Sequence, residues 1–82
     1  MTKEEIFTRV STILEDYLRL EEGEATLESH VVNDLGADSL AMVELGFKFT
    51  EAFGIPMLNP DAETLVIGRL VDRIQSEMQA SG

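Results

Sequence analysis

At 82 residues the chain has room for one domain and one modest core, because a domain this small buries only about 60 to 65% of the surface its unfolded chain exposes. Sixteen Asp and Glu against six Lys and Arg give a formal net charge of -10, which opposes nucleic acid and anionic membrane surfaces and favours basic protein partners, steered over roughly 8 Å of screening length in physiological salt. Cysteine is absent, which excludes disulfides, thiolate nucleophiles and cysteine zinc sites, while a hydrophobic fraction of 44% separates the chain from disordered acidic tails.

The opening run Met1-Thr2-Lys3-Glu4-Glu5 has no apolar leader pattern, and no stretch approaches the roughly 18 apolar residues that would span a bilayer. A soluble, cytoplasmic protein is the expectation. The first helix is predicted over about Lys3 to Leu20, where Ile6, Val10, Ile13, Leu14 and Tyr17 fall on one stripe. Thr2 is its expected cap, Glu4 and Glu5 suit its positive end, Arg19 its negative end, and Gly23 closes the segment.

Residues 23–38 follow neither a helical nor a strand period and read as a long loop pinned to the core by Leu27, Val31 and Leu35. The second helix is predicted to begin at Ser39, with Asp38 as N-cap, a buried stripe of Leu45, Phe49 and Phe53, and an end at Gly54. Asn59-Pro60-Asp61-Ala62-Glu63 reads as a helix of about one turn, since Asn caps well and Pro suits the first helical position. Thr64 then caps a last helix whose inward positions are Ile67, Leu70, Val71, Ile74 and Met78. No convincing strand pattern occurs. The expected fold is all-α: a small four-helix bundle of three longer helices and one short one, residues 1–82 forming a single domain with a long loop between helices one and two.

Candidate chemistry is sparse. His30 is the one histidine, no Gly-x-Ser-x-Gly elbow exists, and a self-contained hydrolase is not supported; His30 reads as a loop residue that bonds locally or faces water. The acids lack the alternating array of a calcium loop, and Asp34 and Asp38 read as capping or solvated groups rather than ion ligands, so no metal site is expected. One constellation stands apart: Asp34-Leu35-Gly36-Ala37-Asp38-Ser39-Leu40 puts a hydroxyl on the first turn of a helix directly after a glycine-bearing loop. The positive helix end would favour a phosphate ester on Ser39, Gly36 would let the loop bend tightly, and Asp38, electrically adverse, would orient and cap. On geometry alone, an Asp-Ser cap pair is the competing reading.

That run, continued by Val43-Glu44-Leu45, resembles the signature of acyl carrier proteins of the fatty-acid or polyketide type. Length, acidity, the long first loop, Phe53-Gly54-Ile55-Pro56 and the closing Gly68-Arg69-Leu70-Val71-Asp72-Arg73-Ile74 are similar too, so the resemblance covers essentially the whole chain. It implies that Ser39 receives 4'-phosphopantetheine from coenzyme A, transferred by a separate magnesium-using phosphopantetheinyl transferase. The chain would then be a phosphoprotein whose imported thiol holds acyl or ketide groups as thioesters, and it would catalyse nothing itself. A monomer serving fatty acid or polyketide biosynthesis is implied, visited by acyltransferase, ketosynthase and other acyl-processing enzymes with basic docking patches.

Leu40, Glu44, Phe47 and Glu51 recur at helical spacing and, with Val43, define a face distinct from the core stripe of helix two. In the family this face meets those partners, where screened charge pairs speed association while adding little affinity; a core role for Val43 and Phe47 is the alternative. Ala41 and Lys48 make the face less acidic than in typical fatty-acid carriers, and the segment from Ile55 to Asp61 is about one residue short of common bacterial examples. Gly46 lies mid-helix, where it costs about 1 kcal/mol relative to Ala, either for close helix packing or to leave interior room for an acyl chain. The competitor from another class is a small acidic helical adaptor that binds a basic partner and carries no prosthetic group.

Overall fold

A computed structural model describes residues 1–58 and 65–81, with side chains through residue 79. Its elements are α1 (Lys3–Leu18), α2 (Ser39–Phe53) and α3 (Ile67–Ser81), and among the described residues there is no strand. The one-turn helix predicted at residues 59–63 and the Thr64 cap lie outside the described residues.

The start of α1 is closed by a reciprocal pair of bonds. Thr2 Oγ1 accepts from the Glu5 N–H at 3.2 Å and Glu5 Oε1 accepts from the Thr2 N–H at 2.9 Å, which satisfies two donors that helix geometry otherwise leaves orphaned. Hydrogen bonding of the carboxyl to Thr2, its backbone N–H first and its side chain second, holds Glu5 below its ordinary value of 4.5.

Helix α1 stops short of the predicted Leu20. Arg19 takes the left-handed conformation at φ 58°, and the Arg19 and Leu20 N–H groups both return to the Glu15 carbonyl, the latter at 2.8 Å. The helix is thus ended by Arg19 in place of the expected Gly23, through a bonded turn that satisfies a terminal carbonyl at the cost of a non-glycine residue in that region. The Glu15 side chain then accepts from the Gly23 and Ala25 N–H groups at 2.9 and 3.3 Å, which folds the outgoing chain back against the helix end.

The three helices meet along the apolar stripes. Ile6, Val10 and Leu14 of α1, Ala41, Leu45, Phe49 and Phe53 of α2, and Ile67, Leu70, Val71 and Ile74 of α3 are buried, whereas Ile13, Tyr17 and Met78 are only half-buried. Each fully buried Leu or Ile contributes about 1.5–3 kcal/mol, and with no cross-link these side chains hold the fold. α1 is the central element, packing against both α2 and α3 and more extensively against α3.

Between α1 and α2 the anchoring differs from the sequence expectation. Val31 is buried and Leu35 half-buried, but Leu27 is 48% exposed, and Ala25 and Ala37 fill the core positions in its place. Leu27 contributes through its backbone: its carbonyl accepts from the Gly68 N–H at 2.8 Å, while the Val31 N–H donates to the Leu65 carbonyl at 2.7 Å and the Ile67 N–H to the Ser29 carbonyl at 3.1 Å. An isolated antiparallel bridge of His30 with Val66 belongs to the same seam. Such a seam, between residues 27–31 and residues 65–68, leaves no hydrophobic period to read.

Candidate functional site

The loop that delivers the chain to α2 is wound tightly. The Asp34 and Leu35 N–H groups donate to the His30 carbonyl at 2.8 and 3.2 Å, Gly36 to Val32 at 3.0 Å and Ala37 to Val31 at 3.1 Å. Gly36 has φ +79°, a left-handed conformation that side chains disfavour, and from it the chain turns to drop Ala37 into the core. His30 and Asp34 organise this winding: Nδ1 of His30 accepts from the Val32 and Asn33 N–H groups at 3.2 and 2.9 Å, and the Asp34 carboxylate accepts from the His30 N–H at 2.7 Å. His30 is thus the locally bonding loop residue that the sequence suggests, although an imidazole that caps a turn has no fixed motif from which its partners could be named.

Asp38 is extended, with φ -95° and ψ -177°, and its carboxylate accepts from the Ala41 N–H at 2.8 Å. It is the N-cap that the sequence predicts. Both candidate carboxylates, Asp34 and Asp38, are therefore engaged by backbone donors, and among the described residues no cluster of three or more His, Asp or Glu could hold a metal ion.

Ser39 follows as the first residue of α2, exposed, and its side chain makes no hydrogen bond among the described residues. The first turn of α2 carries no acid beyond the cap. The hydroxyl is thus free at the positive end of a 15-residue helix, where backbone dipoles and unpaired N–H groups stabilise a phosphate. A phosphodiester on Ser39 Oγ would displace no bond and meet no wall, so these residues fit such a group.

From Ser39 an exposed face runs down α2. Leu40 is 67% exposed, Val43 49% and Phe47 59%, with Glu44 and Glu51 exposed beside them. Large apolar side chains left in water along one helix face mark a surface built for contact, and a core role for Val43 and Phe47 is overturned by their exposure. The opposite stripe of Leu45, Phe49 and Phe53 is the one in the core.

Lys48 does not stand free on this face. Its ammonium lies 5.6 Å from the centre of the Tyr17 ring on α1, and the Tyr17 hydroxyl donates to the Glu44 carboxylate. That bond, above all, raises Tyr17 above its ordinary value of 10.0 and keeps its proton in place. The atoms nearest the open side of Gly46 belong to Met57. A Cβ there would sit 2.7 Å from Met57 Cε and 3.3 Å from its sulfur, so Gly46 seats the tip of Met57. Gly46 also lines an apolar cavity with Leu14, Val31, Met42, Leu45, Phe49, Leu58 and Leu70, which measures about 30 Å³, room for about two water molecules.

A family model described as the phosphopantetheine attachment site matches residues 8–74, a span that contains the wound loop, the whole of α2 and most of the core. The chain is also 35% identical over 78 residues to an acyl carrier protein of Thermotoga maritima, covering 94% of this chain and 96% of that protein. The chain belongs to the acyl carrier protein family, whose members are carriers and not catalysts and whose prosthetic group is 4'-phosphopantetheine. No helix among the described residues is long and apolar enough to cross a membrane.

Proposed function

We propose that Ser39 is the residue that carries 4'-phosphopantetheine, and that residues 1–82 act as one free-standing, monomeric, cytoplasmic acyl carrier of the fatty-acid or polyketide type. The observation that carries the assignment is the exposed, unbonded hydroxyl at the start of α2, inside the region matched to the attachment-site family. When attached, the group supplies the thiol on which acyl chains travel as thioesters, chemistry that a chain without cysteine cannot supply. The chain's own residues do the rest. Asp38 and Gly36 set the angle of the hydroxyl, the α2 N-terminus stabilises the phosphate charge, and the protein withholds its own side chains from the reaction.

The partner face consists of Leu40, Val43, Glu44, Phe47 and Glu51. Its mixture of exposed apolar area and acids suits brief docking on basic patches of a phosphopantetheinyl transferase, an acyltransferase or a ketosynthase: the charge steers the encounter and the modest apolar area lets the carrier leave. An adaptor that never carries a prosthetic group has no observation in its favour.

Incubation of the protein with coenzyme A, magnesium and a broad-specificity transferase tests the assignment by intact mass. Wild type gains one phosphopantetheine and Ser39→Ala gains none. An unmodified wild type beside a loaded control carrier would instead support the adaptor.

A further inference from the structure

Tyr17 is the strongest feature that the carrier reading leaves without a task. It lies in the last turn of α1, half-buried against the core, yet its hydroxyl reaches across to Glu44, an acid of the partner face on α2. Four residues on, Lys48 belongs to the same helix and would, if extended beside Glu44, offset the charge that a basic partner seeks. Its ammonium lies over the Tyr17 ring instead. One aromatic side chain thus engages both, donating to the acid through its edge and drawing the base through its face.

We propose that Tyr17 is a positioning residue for docking: it fixes the Glu44 carboxylate on the partner face and holds Lys48 on the α1 side, so that a basic partner meets an ordered negative charge. The proposal rests on the reading of Glu44 as a docking acid. An unrestrained Glu is a flexible side chain that loses rotamer freedom when a partner orders it, and a tyrosine rooted in a packed helix meets that cost before the encounter. The chemistry that recognises this arrangement is a Lys or Arg cluster on the partner.

The test is a double-mutant cycle on the loading reaction, with Tyr17→Phe, Glu44→Ala and the double variant, rates being followed by intact mass at low and saturating carrier. Tyr17→Phe keeps the ring under Lys48 and removes only the hydroxyl. It should lower kcat/KM about threefold with kcat unchanged, as expected for a residue that acts on encounter. The loss should shrink at high salt, and adding Tyr17→Phe to Glu44→Ala should cost nothing further. A wild-type rate for Tyr17→Phe, or an undiminished effect in the Glu44→Ala background, overturns the proposal. Absence of loading in wild type is a separate result, which removes the carrier reading and this proposal with it.

Discussion

The two helix starts in the first half of the chain solve the same problem differently. At α1, Thr2 and Glu5 bond each other's backbone, Glu4 adds charge, and the end is sealed by the protein's own acids. At α2, Asp38 alone caps, the first turn holds no acid, and Ser39 lies open beside the remaining donors. Positive dipole ends of this kind attract an anion from somewhere. α1 takes it from its own sequence, whereas α2 is left able to take it from a phosphate. On the proposed reading the contrast separates a structural cap from a loading site, although each start combines a hydroxyl residue with a nearby acid.

Removing each cap sharpens this contrast. Asp38→Ala has the larger effect: a loss of about 1 kcal/mol of stability from the lost cap, and in addition slower loading, because the first turn that presents Ser39 frays. Thr2→Ala should cost a similar ~1 kcal/mol in urea denaturation while leaving the loading rate unchanged. Equal loading defects in the two variants would break the distinction.

The seal at α1 is also pH-dependent in a stated direction. Because Glu5 is held below 4.5 in the folded protein, its contribution is fully present above that value and is lost as pH falls through the folded value. Acid titration should therefore narrow the stability gap between wild type and Glu5→Gln below pH 4.5, and a gap that stays constant would show that the Glu5 charge adds nothing to the cap.

The smallest effect belongs to Gly46. Ala at this position gains about 0.5–1 kcal/mol of helix propensity, and the atom in its way is the tip of Met57, a flexible side chain that is 45% exposed and can swing aside. Gly46→Ala should raise the melting temperature by a few degrees. A fall would show that Met57 is held more firmly than its exposure indicates.

Much of this was legible in the sequence, for identifiable reasons. The caps Thr2 and Asp38, and the buried stripes from Ile6 to Leu14 and from Leu45 to Phe53, follow from short-range spacing, and the structure has them, while the return bond from Glu5 to Thr2 was not read. The exposed face of α2 followed by subtraction, since a helix that buries Leu45, Phe49 and Phe53 must turn Leu40, Val43 and Phe47 elsewhere. What escaped was non-local or backbone-borne. Arg19 ended α1 where a glycine was expected, and Leu27 secured the loop with its carbonyl rather than its side chain. Tyr17, read as a core residue, holds two residues of another helix 27 and 31 positions away. Hydrophobic periodicity reports which side of an element is dry, and it carries no information on which polar atom a side chain will meet across the bundle.

The most direct measurement is peptide mapping by mass spectrometry of the protein isolated from its own cells. The account predicts a phosphopantetheine on the peptide containing Ser39, localised to that residue on fragmentation. A uniformly bare Ser39 in cells with an active transferase, or the same mass on Thr2 or another hydroxyl, would contradict it.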